Sequence, residues 1–406
     1  MSLHYTGLLI VAIAAFVAPV IAGTIPRRLV PPVVLEVLAG LVIGPQGLDL
    51  VQATGAVEVL YLLGFGFLLF LAGQEVEVQR FREPTFKLSG ICFVMSLGLG
   101  FAVAAAVRPL APGSDLRLLA LSLTASSLGV VVPVLRDARE ISTEFGQLVV
   151  MSGSVGEFGS LLLLTILFSA EPESTLVQIV YVLALGAAAV VGAVVIRRFW
   201  QSPWMRRVLL SSDDSTSQLR VRGSFVILLI FAALAFEFGV DALLGAFVAG
   251  IVLRVADRDD RPNLKRFHGK LRAIGYGFLV PVFFVGTGLT FDVRSLLASA
   301  SSLALLPVLV VAILVVRATP ALIFRHRIGA TPAVAAGLLQ ATTLTFPVVV
   351  AQVGLDLHLL TRATAAALIG AALVSVLIFP ALALALRPWT RPVPGSQARE
   401  PRAQTG

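Results

Sequence analysis

Long apolar stretches, separated by short polar or charged runs, recur along the whole chain. A helix needs about 20 predominantly apolar residues to cross a bilayer core of ~30 Å at ~1.5 Å per residue. Lipid offers the backbone no hydrogen-bond partners, so such stretches are read as helices. The pattern predicts about 13 spans, over 7–25, 30–45, 57–76, 86–107, 116–135, 145–169, 174–196, 221–238, 240–256, 273–290, 296–323, 331–353 and 363–386. The fold class expected is therefore all-α, a polytopic membrane protein.

Composition supports that medium. Of the 406 residues 57% are hydrophobic and only 13% charged, roughly half the charged share of a soluble domain. The net charge of +8 would suggest a nucleic-acid partner in a soluble protein. Here no basic stretch is interleaved with aromatics, and Lys/Arg retention on one membrane side explains the excess. With the N-terminus outside, 26 of the 31 Lys/Arg fall on the cytoplasmic side, four on the other, and Arg317 inside a span. That places the C-terminus in the cytoplasm and the protein in a cell (inner or plasma) membrane. The single cysteine, Cys92, excludes a disulfide within the chain and makes no metal site. The first apolar segment has no charged region before it and reads as a retained helix, not a signal peptide.

The two halves resemble each other. Val37–Val42 matches Phe247–Val252, Gly64–Phe67 matches Gly275–Phe278, and Ala125–Leu128 matches Ala341–Leu344, at nearly one offset. The matched spans differ by an odd number, so they cross in opposite directions, which is an inverted-topology repeat of the kind transporters use. The expected organisation is a first membrane half over 1–196, a cytoplasmic linker over 197–220, a second half over 221–388, and a disordered tail over 389–406. Each half holds one repeat.

Inverted-repeat transporters place their site near the midplane, where a helix pair is broken. Two repeat-equivalent segments carry a hydroxyl cluster followed by proline: Thr124, Ser126 and Ser127 before Pro133, and Thr342, Thr343 and Thr345 before Pro347. Proline removes a backbone donor and clashes with the preceding turn, so crossed, broken helices are expected there. Simple proline kinks with Ser/Thr between helices would use the same residues.

Ionisable groups inside spans are costly and so are functional candidates. Glu157 is more than ten residues from the nearest charge on either side. It suits alternate binding of proton and cation, and its bland reading is a protonated carboxyl bonded to a hydroxyl. Arg317 is either a buried fixed charge or an arginine reaching the membrane surface. Glu36 is a weaker candidate. Glu237 and Asp241 read as solvated turn residues, and the four histidines have no metal-ligand spacing. The sequence carries no Gly-rich phosphate loop and no potassium-channel filter, and nothing in it points to an enzyme or a cofactor.

Taken together, Glu36–Pro45, Gly64–Gly73 with Glu75, Thr124–Leu135, Leu244–Gly250 and Val280–Leu289 resemble the Kef-type monovalent cation:proton antiporters, which are similar in fold to bacterial sodium/proton antiporters. The resemblance implies a homodimer, in which a mobile core domain moves as an elevator past a dimer-forming domain. It also implies that the ion-binding helix carries an acidic or Asn-Asp pair, aligned here with Gly156-Glu157. Glu157 then takes the cation and proton role, with hydroxyl help from Thr124, Ser126, Ser127 and Ser154. Gly156, Thr342, Thr343 and Arg317 organise the core. With no side chain at Gly156, a direct pair between Arg317 and Glu157 is one arrangement left open. The function expected is exchange of Na⁺ or K⁺ for protons, with no metal beyond the transported cation. A non-exchanging relative, channel-like or sensory, or a carrier of an organic or anionic solute, is the alternative.

Overall fold

The computed structural model describes residues 5–24, 31–75, 84–168, 175–205, 218–238, 242–257, 262–298 and 300–386. Residues 206–217 of the linker expected over 197–220, and the tail over 389–406, lie outside the described residues. Every regular element among the described residues is helical. In chain order the main helices are α1 (Tyr5–Thr24), α2 (Pro32–Ile43), α3 (Ala56–Glu75), α4 (Pro84–Val107), α5 (Leu116–Ser122), α6 (Leu128–Asp137), α7 (Glu144–Leu167) and α8 (Thr175–Gln201). They continue as α9 (Leu219–Glu237), α10 (Ala242–Ala256), α11 (Pro262–Ile274), α12 (Val280–Thr290), α13 (Ala300–Ala321), α14 (Ala330–Ala341), α15 (Thr345–Asp356) and α16 (Arg362–Ala385).

Each of the expected spans meets a helix or a pair of helices in this order. Among the described residues ten helical stretches are long and apolar enough to cross a membrane, and α2 and α10 are shorter apolar helices. The remaining expected span, 116–135, is the pair α5/α6, unwound between Ser122 and Leu128. Its repeat equivalent is the pair α14/α15, unwound over 342–344. Helix α8 runs on through Arg197 and Arg198 to Gln201, past the boundary expected at 196. Between α11 and α12 the chain takes one π-helical stretch, Gly275–Leu279.

Packing sorts the helices into two groups that interleave the sequence halves. Helices α4 to α7 pack with α13 to α16, and helices α1 to α3 pack with α8 to α12. In the first group residues 335–351 are all buried, so the unwound segment at 342–344 is shielded from lipid.

The second group is held by two tight helix crossings. Gly40 of α2 lies against Gly288 of α12, and Gly73 of α3 lies against Gly250 of α10. Exchanging the repeats, α2 for α10 and α3 for α12, exchanges one crossing for the other. Small residues let helix backbones approach closely in a membrane, where packing takes over from the hydrophobic effect. A Cβ on Gly250 would strike the backbone carbonyl of Phe70, whereas Gly186 on α8 has nothing within 4 Å of such a Cβ. Gly250→Ala is therefore expected to destabilise the protein by about 2–3 kcal/mol through overpacking. Gly186→Ala should be neutral or stabilising by up to ~1 kcal/mol. Thermal melts of the two variants in one detergent check this; equal melting temperatures would overturn it.

Candidate functional site

The two unwound segments hold each other. The amide of Ser127 donates to the Thr342 carbonyl at 2.9 Å. The Ser127 hydroxyl accepts from the amides of Leu344 and Thr345 at 2.7 and 3.0 Å and donates toward the Thr345 hydroxyl at 3.3 Å. The first amides of a helix have no partner within it, so Ser127 caps α15 from the other repeat. Ser375 of α16 steadies the same break, accepting from the Thr343 amide at 3.1 Å and donating to its carbonyl at 2.8 Å. The Thr342 hydroxyl donates back to Leu338. The Thr343 hydroxyl is buried with no partner.

Two half-helix C-termini and two N-termini converge here, and each sign of partial charge meets an ionisable group. Arg317 of α13 is 1% exposed and reaches the C-terminal end of α14. Its Nε donates to the Gln340 carbonyl at 3.4 Å, and its Nη2 to Gln340 Oε1 at 3.3 Å and Ser126 Oγ at 2.6 Å. Its Nη1 donates to Ser96 of α4 at 3.3 Å. A cation at a helix C-terminus is stabilised by about 0.3–2 kcal/mol. Ser126 also donates to the Gln340 carbonyl at 2.5 Å, and Ser152 of α7 donates to Gln340 Oε1 at 2.9 Å. The Gln340 Nε2 is buried without a partner.

Glu157 takes the opposite end. Its carboxylate accepts from the Leu128 amide at 3.4 Å, in the first turn of α6, where the helix dipole favours negative charge. The residue is buried and lines a cavity of about 250 Å³ with Leu128, Gly129, Thr345, Tyr276, Arg136, Arg272 and Glu75. Arg272 and Glu75 pair at 3.0 Å. Glu157 and Arg317 form no ion pair within 4 Å, so the direct pairing left open by the sequence is not made. The reason lies at Gly156. A methyl group there would lie 2.9 Å from Nη2 and 3.2 Å from Nη1 of Arg317. The guanidinium fills the space that a side chain at 156 would take, so Gly156 admits Arg317 to the Ser126–Gln340 cluster.

The structure thus divides the residues singled out in sequence. Glu157 faces the cavity. Ser126 belongs to the Arg317 cluster and Ser127 to the cap of α15. Thr124 donates to Leu121 and bonds Ser160 at 2.8 Å. Ser154 donates to the Val150 carbonyl at 2.9 Å, one turn before Glu157 on α7. Sequence reasoning missed Gln340 and Ser96 as Arg317 partners, Ser152 as a donor to Gln340, and Thr345 and Tyr276 as cavity residues. Uncharged polar side chains inside the spans were the available signal.

Comparison with known proteins gives a consistent picture. The family model described as sodium/hydrogen exchanger, transmembrane, matches residues 11–384. A putative Na(+)/H(+) antiporter of Bacillus subtilis is 28% identical over 92% of this chain and 61% of its own length. A probable Na(+)/H(+) antiporter of Methanocaldococcus jannaschii is 23% identical over 93% of this chain and 95% of its own. The chain spans 35% of the length of a cation/H(+) antiporter of Arabidopsis thaliana, at 25% identity. In fold it is similar to the solved sodium proton antiporter MjNhaP1 of Methanocaldococcus jannaschii, with a TM-score of 0.67, 16% identity, and coverage of 94% of this chain and 97% of that one. A match to the family model over nearly the whole membrane region, on an all-helical polytopic fold with crossed broken helices, identifies the chain as a member of the sodium/hydrogen exchanger transmembrane family, a family of transporters and not of enzymes.

Proposed function

We propose that this protein exchanges a monovalent cation, Na⁺ or K⁺, for protons, with Glu157 as the carboxylate for which the two compete. The observation that carries this is the placement of Glu157: a buried acid without an ion-pair partner among the described residues, held by the Leu128 amide and facing a cavity. A carboxylate that holds either a proton or a cation, never both, is sufficient for exchange when access alternates. The names of the relatives, Na(+)/H(+) and cation/H(+) antiporters, agree with this reading, and the Kef-type resemblance would place the chain in a subgroup of the family.

The residues take distinct roles in this reading. Thr345, which lines the same cavity, and Ser154, one turn before Glu157 on α7, are the hydroxyls this reading assigns to the cation. Ser127, Thr342 and Thr343 hold the break open, and Ser126 with Gln340 anchors Arg317 as a fixed charge. The group formed by α4 to α7 and α13 to α16 is the moving body, and the group with the Gly40 and Gly73 crossings is the frame and dimer-forming part. Lys/Arg asymmetry supports an orientation with the N-terminus outside and the C-terminus inside. In that orientation Arg136 and Arg272, which line the Glu157 cavity, belong to its cytoplasmic side. The alternative carrier of an anion would need Arg317 turned to the solute, and its guanidinium is engaged on Ser96, Ser126 and Gln340.

The test is a pH measurement in proteoliposomes with a trapped pH dye, adding Na⁺, K⁺ and Li⁺ outside in turn. Uptake of cation against proton release raises the lumenal pH, and the ion that does so names the substrate. Silence from all three in well-folded protein would sink the proposal.

A further inference from the structure

A second buried acid stands apart from the exchange site. Glu36 is 6% exposed, one turn into α2 after Pro32. Among the described residues its carboxyl has neither a hydrogen-bond donor nor an ion-pair partner. It lines a cavity of about 730 Å³ between the two packing groups. One wall comes from α1, α2, the π-helical stretch and α12, with Phe16, Val33, Phe278 and Phe284; the other comes from α6 and α15, with Val130 and Thr345. Leu68, Gly129, Tyr276 and Thr345 line both this cavity and the smaller one at Glu157, so the two adjoin.

The chemistry of the walls selects the occupant. The volume lies in the range of ~300–1,000 Å³ that holds drug-sized molecules. A hard cation wants a shell of about six or more oxygens, and these walls are mainly aromatic, aliphatic and proline. An apolar body with one positive charge satisfies both features: the body buries against the walls and the charge meets the lone carboxylate. Aromatic faces add attraction for such a cation. We infer that this cavity binds hydrophobic monovalent organic cations, protonated amines or onium ions with an aryl or alkyl body, with Glu36 as their counter-ion. Because its walls belong to both packing groups, an occupant bridges them and hinders their relative motion. That corollary rests on the proposed exchange cycle; the binding does not.

Binding is therefore measured directly, on the full chain in lipid nanodiscs, with ethidium as a permanently charged aromatic monocation followed by fluorescence anisotropy. The expected result is saturable binding by the unaltered protein and by Glu157→Gln, weakened at least tenfold in Glu36→Gln. In the same assay phenethylamine should displace ethidium from the unaltered protein, and phenethyl alcohol, its neutral counterpart, should not. This arm needs no variant and stands even where Glu36→Gln fails to fold. Equal affinity in Glu36→Gln, displacement by the alcohol as readily as by the amine, loss of binding in Glu157→Gln, or no saturable binding to the unaltered protein would each overturn the inference.

Discussion

Glu157→Gln removes cation-evoked proton movement and leaves the fold intact. The amide is nearly isosteric with the carboxyl and keeps an oxygen for the Leu128 amide, which is 3.4 Å from Glu157. Packing around the side chain should therefore survive. What is lost is the charge. A unit charge 4 Å from a cation contributes about 4 kcal/mol at an effective dielectric of ~20, which is roughly a thousandfold in affinity. The amide also has no proton to exchange. In proteoliposomes the dye signal for every cation should fall to the level of protein-free vesicles, while the melting temperature moves little. Glu157→Asp, which keeps the acid one methylene shorter, should retain part of the flux. Undiminished exchange by the Gln variant would refute the assignment of Glu157 as the carrier.

The second large effect is on stability. Arg317→Ala withdraws a fully buried side chain from Ser96, Ser126 and the Gln340 side chain and carbonyl. Buried acceptors left without donors cost about 1–3 kcal/mol each, and the emptied volume adds a cavity term. The C-terminal end of α14 also loses its compensating charge. Partial relaxation offsets some of this, and a net loss of about 4 kcal/mol is expected. At roughly 2 °C per kcal/mol this lowers the melting temperature by about 8 °C. Arg317→Lys keeps the charge, but its ammonium cannot span Ser96, Ser126 and Gln340 as the planar fork does, so it should recover only part of the loss. A melting temperature unchanged in Arg317→Ala would mean that Arg317 does not organise the core.

Much of the fold was legible because a bilayer enforces it. Apolar length had to match membrane thickness, so the spans could be placed from hydropathy alone, including the broken pair α5/α6. The repeat was legible from short matches whose glycines turned out to matter: Gly40 and Gly250 each meet a glycine of the other repeat. The interleaving of the halves into two packing groups was not legible from those matches, because helix neighbours are set by packing between segments about 200 residues apart.

The site was legible where charge made it costly. Glu157 and Arg317 stood out because few ionisable residues occur inside spans. Partners were harder to read. Ser126 and Ser127 are adjacent in sequence and were expected beside the cation, yet one serves Arg317 and the other caps α15. Gln340 was passed over because it carries no charge, although it supplies Arg317 with both a side-chain and a backbone acceptor. Gly156 read as a lost side chain, and its meaning emerged only with Arg317 lying against it.

The bonds between the two breaks also impose an order on biosynthesis. Ser127 finds its partners at Thr342, Leu344 and Thr345, some 215 residues later in the chain. A ribosome adding about 5–20 residues per second needs roughly 10–40 s to cover that distance. Through that interval the first half lies at the membrane with the Ser127 amide and hydroxyl, at the break, lacking their partners, in a medium where such groups are costly. The nascent protein therefore depends on water, the insertion machinery or a delayed entry of α5 and α6 into lipid until the second half arrives to complete them.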